Sequence, residues 1–348
     1  MKIVNIEYEK IEFELAEPYT IAYQTVSNTT NFILKIITDK GLVGYGCAAP
    51  DKEVTLETNV EVENAINKII LPSLIGENPF YYTRIIHELA PQLKSSALCM
   101  VDNALFDLLS KKLEAPLYKF LGGFRDKIPT SITIGILPFK ETLEKAKEFV
   151  ENEFGILKLK GGLDVEEDIK KIIALKTIYP DITLRFDGNQ GYDISTAKYF
   201  VKQTSAYPIE IFEQPTSIHN ESLLGILSDE IHLPVMADES LKSLKDAFRL
   251  TSNGLTDMIN IKIQKVGGLQ AATHINSVAK AAKNEVMVGC LDECALGISA
   301  GLHFCLSKPN VEYADLDGHL DLINDPYKDA FILKKGFLYP NAKFGLGI

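Results

Sequence analysis

Apolar and polar residues change their spacing twice along this chain. Over residues 1–50 they alternate with a period of two, as a strand with one buried face requires. Val4–Phe13 predicts one strand, Asn31–Asp39 a second and Gly41–Ala48 a third, with Asp39-Lys40-Gly41 supplying a turn. Between the first two, Pro18–Thr30 is polar and turn-rich and reads as a mobile loop. From residue 55 to 120 the apolar positions move to helical spacing: Val60, Ile66, Ile69 and Ile70, then Ile85, Ile86 and Leu89, then Val101, Leu105, Leu108 and Leu109. Strands first and helices after predict an α+β domain, and Leu121-Gly122-Gly123 closes it at residue 123.

From about residue 128 the pattern becomes a repeat. Strand-like runs fall at Ile132–Ile136, Ile156–Lys160, Ile182–Asp187, Ile209–Glu213, Val235–Asp238, Met258–Lys262, Val286–Gly289 and Glu312–Asp315. Amphipathic stretches such as Glu166–Tyr179 and Leu269–Lys283 separate them. The central runs end at 160, 187, 213, 238, 262 and 289, a spacing of 24 to 27 residues. This predicts the α/β class: a (β/α)8-type barrel over residues 124–321, behind an N-terminal capping domain over 1–123. Residues 322–348 have no barrel partner left and are expected to complete the capping domain.

Composition narrows the function classes. With 46% hydrophobic and 24% charged residues the 348-residue chain is an ordinary globular protein, large enough for one big and one smaller domain. A net charge of −11 without a basic stripe argues against a nucleic-acid partner. No apolar run reaches the roughly 18 residues of a membrane span, and no signal-peptide pattern opens the chain, so a cytoplasmic location is expected. Cys47, Cys99, Cys290, Cys294 and Cys305 are odd in number and sit mostly among apolar residues, which reads as reduced thiols.

The chemistry lies at the ends of the repeated strands, where barrels of this kind carry their catalytic groups. In Phe154-Gly155-Ile156-Leu157-Lys158-Leu159-Lys160-Gly161-Gly162, Lys158 and Lys160 share one face and Leu157 and Leu159 the other. Taken alone, Lys-x-Lys is more often a wet face. In a barrel mouth the two ammonium groups would lower each other's proton affinity and furnish a base. Asp187, Glu213 and Asp238 end successive strands, and carboxylates that close repel unless a cation lies between them. Hard oxygen ligands suit Mg²⁺, one per subunit. Lys262, flanked by Ile261 and Ile263, is expected across the barrel from Lys160. Two amines on opposite sides of a metal-bound carboxylate suit removal and return of a proton at the adjacent carbon, with Lys158 and the metal steadying the developing charge. None of the six histidines falls at a central strand end.

Lys158-Leu159-Lys160, Asp187-Gly188-Asn189-Gln190-Gly191, Glu213-Gln214-Pro215, Ala237-Asp238-Glu239-Ser240, Asn260-Ile261-Lys262 and Lys265-Val266-Gly267-Gly268 together resemble the muconate-lactonizing subgroup of the enolase superfamily. Such sites are a known case of Lys or His bases working with Mg²⁺. Gly188 departs from the family's usual alanine, a change expected to be harmless. Asp315-Leu316-Asp317-Gly318 resembles the Asp-x-Asp with which dipeptide epimerases hold a substrate's N-terminal ammonium. The resemblance therefore implies epimerisation of a dipeptide at the α-carbon of its C-terminal residue, through an enediolate. Alternatives are an Ala-Glu epimerase, an o-succinylbenzoate synthase, an N-acylamino acid racemase or a cycloisomerase; from another class, a non-catalytic metal- or metabolite-binding barrel. Thr133 and Asp292 are expected to contact the peptide, Asn189 a ligand carboxylate, and Glu239 to orient Lys262. Between Lys10 and Lys35 there is no Lys or Arg, and Tyr19, Ile21 and Tyr23 occupy the loop, so a small or apolar second residue (Ala-Ala-like) is expected. A homo-oligomer is common in the family.

Overall fold

The alternating N-terminal run forms a long antiparallel ribbon in the computed structural model, which describes residues 1–21 and 24–348. Strand β1 (Ile3–Ile21) pairs with β2 (Gln24–Thr38), and β3 (Val43–Ala48) lies against β2. Most of the expected loop at 18–30 is therefore strand, with Tyr19 opposite Val26 and Ile21 opposite Gln24. Pro18 and the polar run at 27–30 hid it: a ribbon that satisfies its own backbone needs no strict apolar alternation. The side chains of Tyr19, Ile21 and Tyr23, expected at the substrate, fall outside the described residues. Between Glu14 and Tyr19 the register with β2 shifts. There β1 turns to the barrel instead: Leu15 bridges Leu322, Ala16 N–H donates to the Asp321 carbonyl at 2.8 Å, and Ile323 N–H donates to that of Glu14 at 3.1 Å.

The other face of the ribbon is dry. Phe32, Leu34 and Ile36 pack with Met100, Ala104, Leu105 and Leu108 of the helix Ser95–Lys112. Gly44 and Gly46 let that helix approach, because a Cβ on either would run into the carbonyl of Ala104 or Met100.

Strand β4 (Ile128–Pro129) leads into the barrel strands β5 (Ile132–Ile134), β6 (Ile156–Lys160), β7 (Thr183–Asp187), β8 (Phe212–Glu213), β9 (Val235–Ala237), β10 (Met258–Lys262), β11 (Glu285–Gly289) and β12 (Val311–Asp315). These eight strands lie in sequence order and pair in parallel. A single parallel bridge, Thr130 to Ala314, brings the two ends of the sheet together. Helices between the strands make parallel pairing possible, and side-chain caps start several of them: Asp164, Asp193 and Ser243 accept from the first-turn amides. Ile211, Met236, Met258 and Met287 fill the barrel interior, with Tyr313 packed against them. Every predicted run overlaps a strand; the first leaves the ladder early, at Ile134, and the fourth joins it late, at Phe212.

The tail divides its contacts. β13 (Phe331–Lys334) and β14 (Phe337–Pro340) form a hairpin whose second strand pairs with β4. Beyond it, Gly345 accepts from Leu117 N–H at 2.8 Å and Leu346 N–H donates to Asp107 Oδ1 at 2.7 Å, both in the first domain. Among the described residues no helix is long and apolar enough to cross a membrane.

Candidate active site

Period two decides which way the β6 side chains point. Leu157 and Leu159 are buried against the surrounding helices, and Lys158 and Lys160 turn inward. Lys262 does the same on β10, four strands further round a ring of eight, so Lys160 and Lys262 face each other across the mouth. Both line one cleft of about 450 Å³ between the barrel and the capping domain. Thr133, Asp292, Asp315 and Asp317 line it too, with Leu137, Phe149, Phe154, Leu320 and Leu333 as apolar wall and Pro18, Thr29, Pro50 and Val54 from the cap.

The carboxylates at the ends of β7, β8 and beyond β9 are turned onto ammonium groups. Lys158 Nζ lies 2.7 Å from Glu213 Oε2, 3.2 Å from Asp187 Oδ2 and 2.8 Å from Asp315 Oδ2. Lys262 Nζ lies 2.8 Å from Asp238 Oδ2, and Lys160 Nζ 4.0 Å from Asp187 Oδ2. Among the described residues no three His, Cys, Asp or Glu side chains are gathered tightly enough to enclose an ion as they stand. The charges nevertheless feel one another. Burial, then Asp187, Asp238 and Asp315 acting against Lys158, push Glu213 up to about 8. Buried oxygens of Asn189 (Oδ1), Asn260 (Oδ1) and Glu239 (both) accept no hydrogen bond among the described residues. Three crowded acids flanked by unpaired hard oxygens fit a divalent cation of the Mg²⁺ type.

The lysines correct an expectation. Burial alone would strip the proton from Lys158, but Asp315, Glu213 and Asp187 together outweigh it, and its pKa stands well above the ordinary lysine value. Lys262 is raised likewise, burial being opposed chiefly by Asp238. Mutual repulsion between the Lys-x-Lys ammoniums therefore does not set Lys158; the acids round it do.

The two aspartates after β12 are not equivalent. Asp315 is engaged from both sides, by Lys158 and by Ser131 Oγ, which donates at 2.6 Å. Lys158, Ser131 and Arg185 hold it below the usual carboxylate range against the opposing effect of burial. Asp317 accepts from the backbone N–H of Thr133 at 2.6 Å and from Cys290 Sγ at 3.7 Å. Burial, then the charge of Asp315, push it up to about 6. Asp292 is placed by its carbonyl, which accepts from Thr29 Oγ1 and Asn31 Nδ2 of the cap, each at 3.1 Å.

Several supporting residues lie in the motifs quoted above, but their partners are not evident in the sequence. Lys265, fully buried, donates to Asp238 Oδ1 at 2.5 Å and to the Asp238 and Asn260 carbonyls. Asn260 Nδ2 donates to Glu213 Oε1 at 2.7 Å. Gln214 Oε1 accepts from the amides of Asp238 and Ser240. Gln214, Asn189 and Gln190 take positive φ values of 31°, 41° and 65°, strain that a side-chain-bearing residue tolerates only where its surroundings enforce it. The inward aim of Asn260 follows from its place two residues before Lys262 on the same face. Glu239 does not bond Lys262; burial, then Asp238, push it up to about 7.

Known proteins resemble this chain over its whole length. Residues 5–122 match the family described as "Mandelate racemase / muconate lactonizing enzyme, N-terminal domain", and residues 141–348 match "Enolase C-terminal domain-like". An L-Lys-D/L-Arg epimerase of Desulforapulum autotrophicum is 38% identical, covering 100% of this chain and 99% of its own. The substrate-liganded L-Ala-D/L-Glu epimerase of Bacillus subtilis superposes with a TM-score of 0.97 at 33% identity, covering 100% and 99%. A dipeptide epimerase of Methylococcus capsulatus, complexed with Mg and L-Arg-D-Lys, superposes at 0.96 with 36% identity over the same shares. The relatives are isomerases, and barrel and cap together make this chain a member of the mandelate racemase/muconate lactonizing enzyme family of the enolase superfamily.

Proposed function

We propose that the chain is a Mg²⁺-dependent dipeptide epimerase acting at the α-carbon of the C-terminal residue. The observation that carries this reading is the placement of Lys160 and Lys262 on opposite walls of one cleft that also contains Asp317. Asp187, Glu213 and Asp238 would hold the cation. When bound there, the ion supplies positive charge that draws electrons from the substrate carboxylate and offsets the hold of the acids on the lysines. Asp317 anchors the N-terminal ammonium, with Thr133 and Asp292 as neighbouring wall, so the peptide spans the cleft with its last α-carbon between the two amines. One lysine, neutral, removes the α-proton; the ammonium opposite returns a proton to the other face, inverting the centre. Lys158 lies beside the carboxylate and steadies its growing charge.

The second residue of the dipeptide is small or apolar on this reading. The absence of Lys and Arg between Lys10 and Lys35 supports it, as do Pro50, Val54 and Leu291 in the wall of the cleft. A cationic dipeptide is the second reading. Asp51, Asp292 and Asp321 also line the cleft, and the Desulforapulum relative is an L-Lys-D/L-Arg epimerase. Both are tested by incubating a dipeptide library with enzyme and Mg²⁺ in D₂O and following loss of the α-proton signal by NMR. Exchange confined to the C-terminal residue is expected. Failure to exchange any dipeptide overturns the function, and a marked preference for Ala-Glu or for Lys- and Arg-containing peptides overturns the apolar assignment.

A further inference from the structure

The eight-stranded sheet closes through one backbone bridge, Thr130 to Ala314, and side chains stitch the rest of that seam. Arg185, buried on β7 two residues before Asp187, reaches under the cleft and donates from Nη1 to the Ala314 carbonyl at 2.8 Å and to Ser131 Oγ at 3.2 Å. Its Nε is held by Glu210 Oε2 at 2.7 Å. Ser131 Oγ then donates to Asp315 Oδ1, and the other oxygen of Asp315 holds Lys158. Ser131 is fully buried and neither it nor Arg185 lines the cleft.

We propose that Ser131 and Arg185 are positioning residues: they lock the Asp315 carboxylate, and through it Lys158, from beneath the floor. This rests on the reading of Lys158 as the group beside the reacting carboxylate. The chain of contacts is specific. Arg185 donates to the hydroxyl oxygen, and the hydroxyl's single proton has two acceptors in reach, Asp315 Oδ1 at 2.6 Å and the Ala314 carbonyl at 3.4 Å, of which the shorter contact favours Asp315. Asp315 then has one oxygen fixed and one left for Lys158. Removing the hydroxyl frees the carboxylate to rotate, and Lys158 loses the partner that holds it over the cleft. A lysine acting on charge that grows in the transition state lowers kcat when displaced, not substrate affinity.

The test is a double-mutant cycle. Ser131→Ala should lower kcat about 10- to 100-fold, the range usual for residues that orient an active group, with KM within about threefold. Ser131→Thr, which keeps the hydroxyl, should recover most of the rate. In an Asp315→Asn background, Ser131→Ala should add less than about twofold. Additive losses, or a loss seen only in KM or thermal stability, overturn the proposal. A crystal structure of Ser131→Ala gives a readout independent of turnover. Movement of the Asp315 carboxylate out of hydrogen-bond reach of Lys158 supports the lock, and an unchanged 2.8 Å contact overturns it. Absence of exchange in the unaltered enzyme counts against the proposed activity alone, because the crystallographic result stands by itself.

Discussion

Replacing Asp317 by asparagine should make the protein more stable and the catalyst worse. Asp317 has a folded pKa of about 6, raised by burial and by the charge of Asp315. In the unfolded chain an aspartate titrates near 3.9. Between those values the folded state holds the proton more tightly, so stability falls as pH rises through the window, and the whole cost is present above about pH 6. Roughly two units correspond to about 3 kcal/mol. The side chain is only half-buried, and solvent recovers part of that, leaving about 1–2 kcal/mol. Asparagine keeps the shape, and its carbonyl accepts the Thr133 amide as the carboxylate does. Asp317→Asn should therefore melt on the order of 2–4 °C higher than the parent at pH 7.5 and coincide with it near pH 4. Binding should move the other way. Losing a charge-assisted bond to the substrate ammonium costs about 1.5–3 kcal/mol, a rise in KM of roughly 10- to 150-fold. The parent's KM should climb as pH falls through 6, while the variant's stays flat. Melting curves and steady-state kinetics across pH 4.5–8 test both halves. An equal or lower melting temperature at neutral pH, or one displaced by the same amount at every pH, would refute the argument from burial; an unchanged KM would refute the ammonium anchor.

Other outcomes follow from the same geometry. Lys160→Ala and Lys262→Ala should each slow epimerisation by about 10²–10⁴-fold, yet each should retain α-proton exchange from a different diastereomer, read by NMR in D₂O. Chelation should abolish exchange and Mg²⁺ restore it; a saturating ion at 100 times its dissociation constant should add about 2.7 kcal/mol of stability, visible as a higher melting temperature. Gly188→Ala should cost about 1–3 kcal/mol, because the new Cβ would lie 2.9 Å from Pro215 Cα, a backbone atom that cannot swing aside. Calorimetry checks it.

Charged residues ending apolar runs made Lys160, Asp187, Glu213, Asp238 and Lys262 legible in the sequence, since a strand's period assigns each side chain a face and the repeat assigns each strand a place. What those groups touch was not legible. Asp315 is 157 residues from Lys158, and no local pattern pairs them. Lys265 belongs to one of the motifs that carry the resemblance, but only the fold reveals that it is walled in beside Asp238. The pairing of residues 19–21 with 24–26 was missed because backbone hydrogen bonds leave no mark in the sequence, and the flanking Pro18 and residues 27–30 read as turn. Arg185 lay within reach: it shares the inward parity of Asp187, and an arginine pointing into a barrel demands partners.

Lys160 and Lys262 stand half a turn apart round the ring. On the proposed reading, a catalyst so built serves both hands of the centre, and it hastens approach to a balance it cannot tilt. Two diastereomeric dipeptides of similar free energy will accumulate in comparable shares whichever is supplied. Net traffic in one direction must then come from a later reaction that consumes only one of them, a peptidase or ligase with a stereochemical preference of its own.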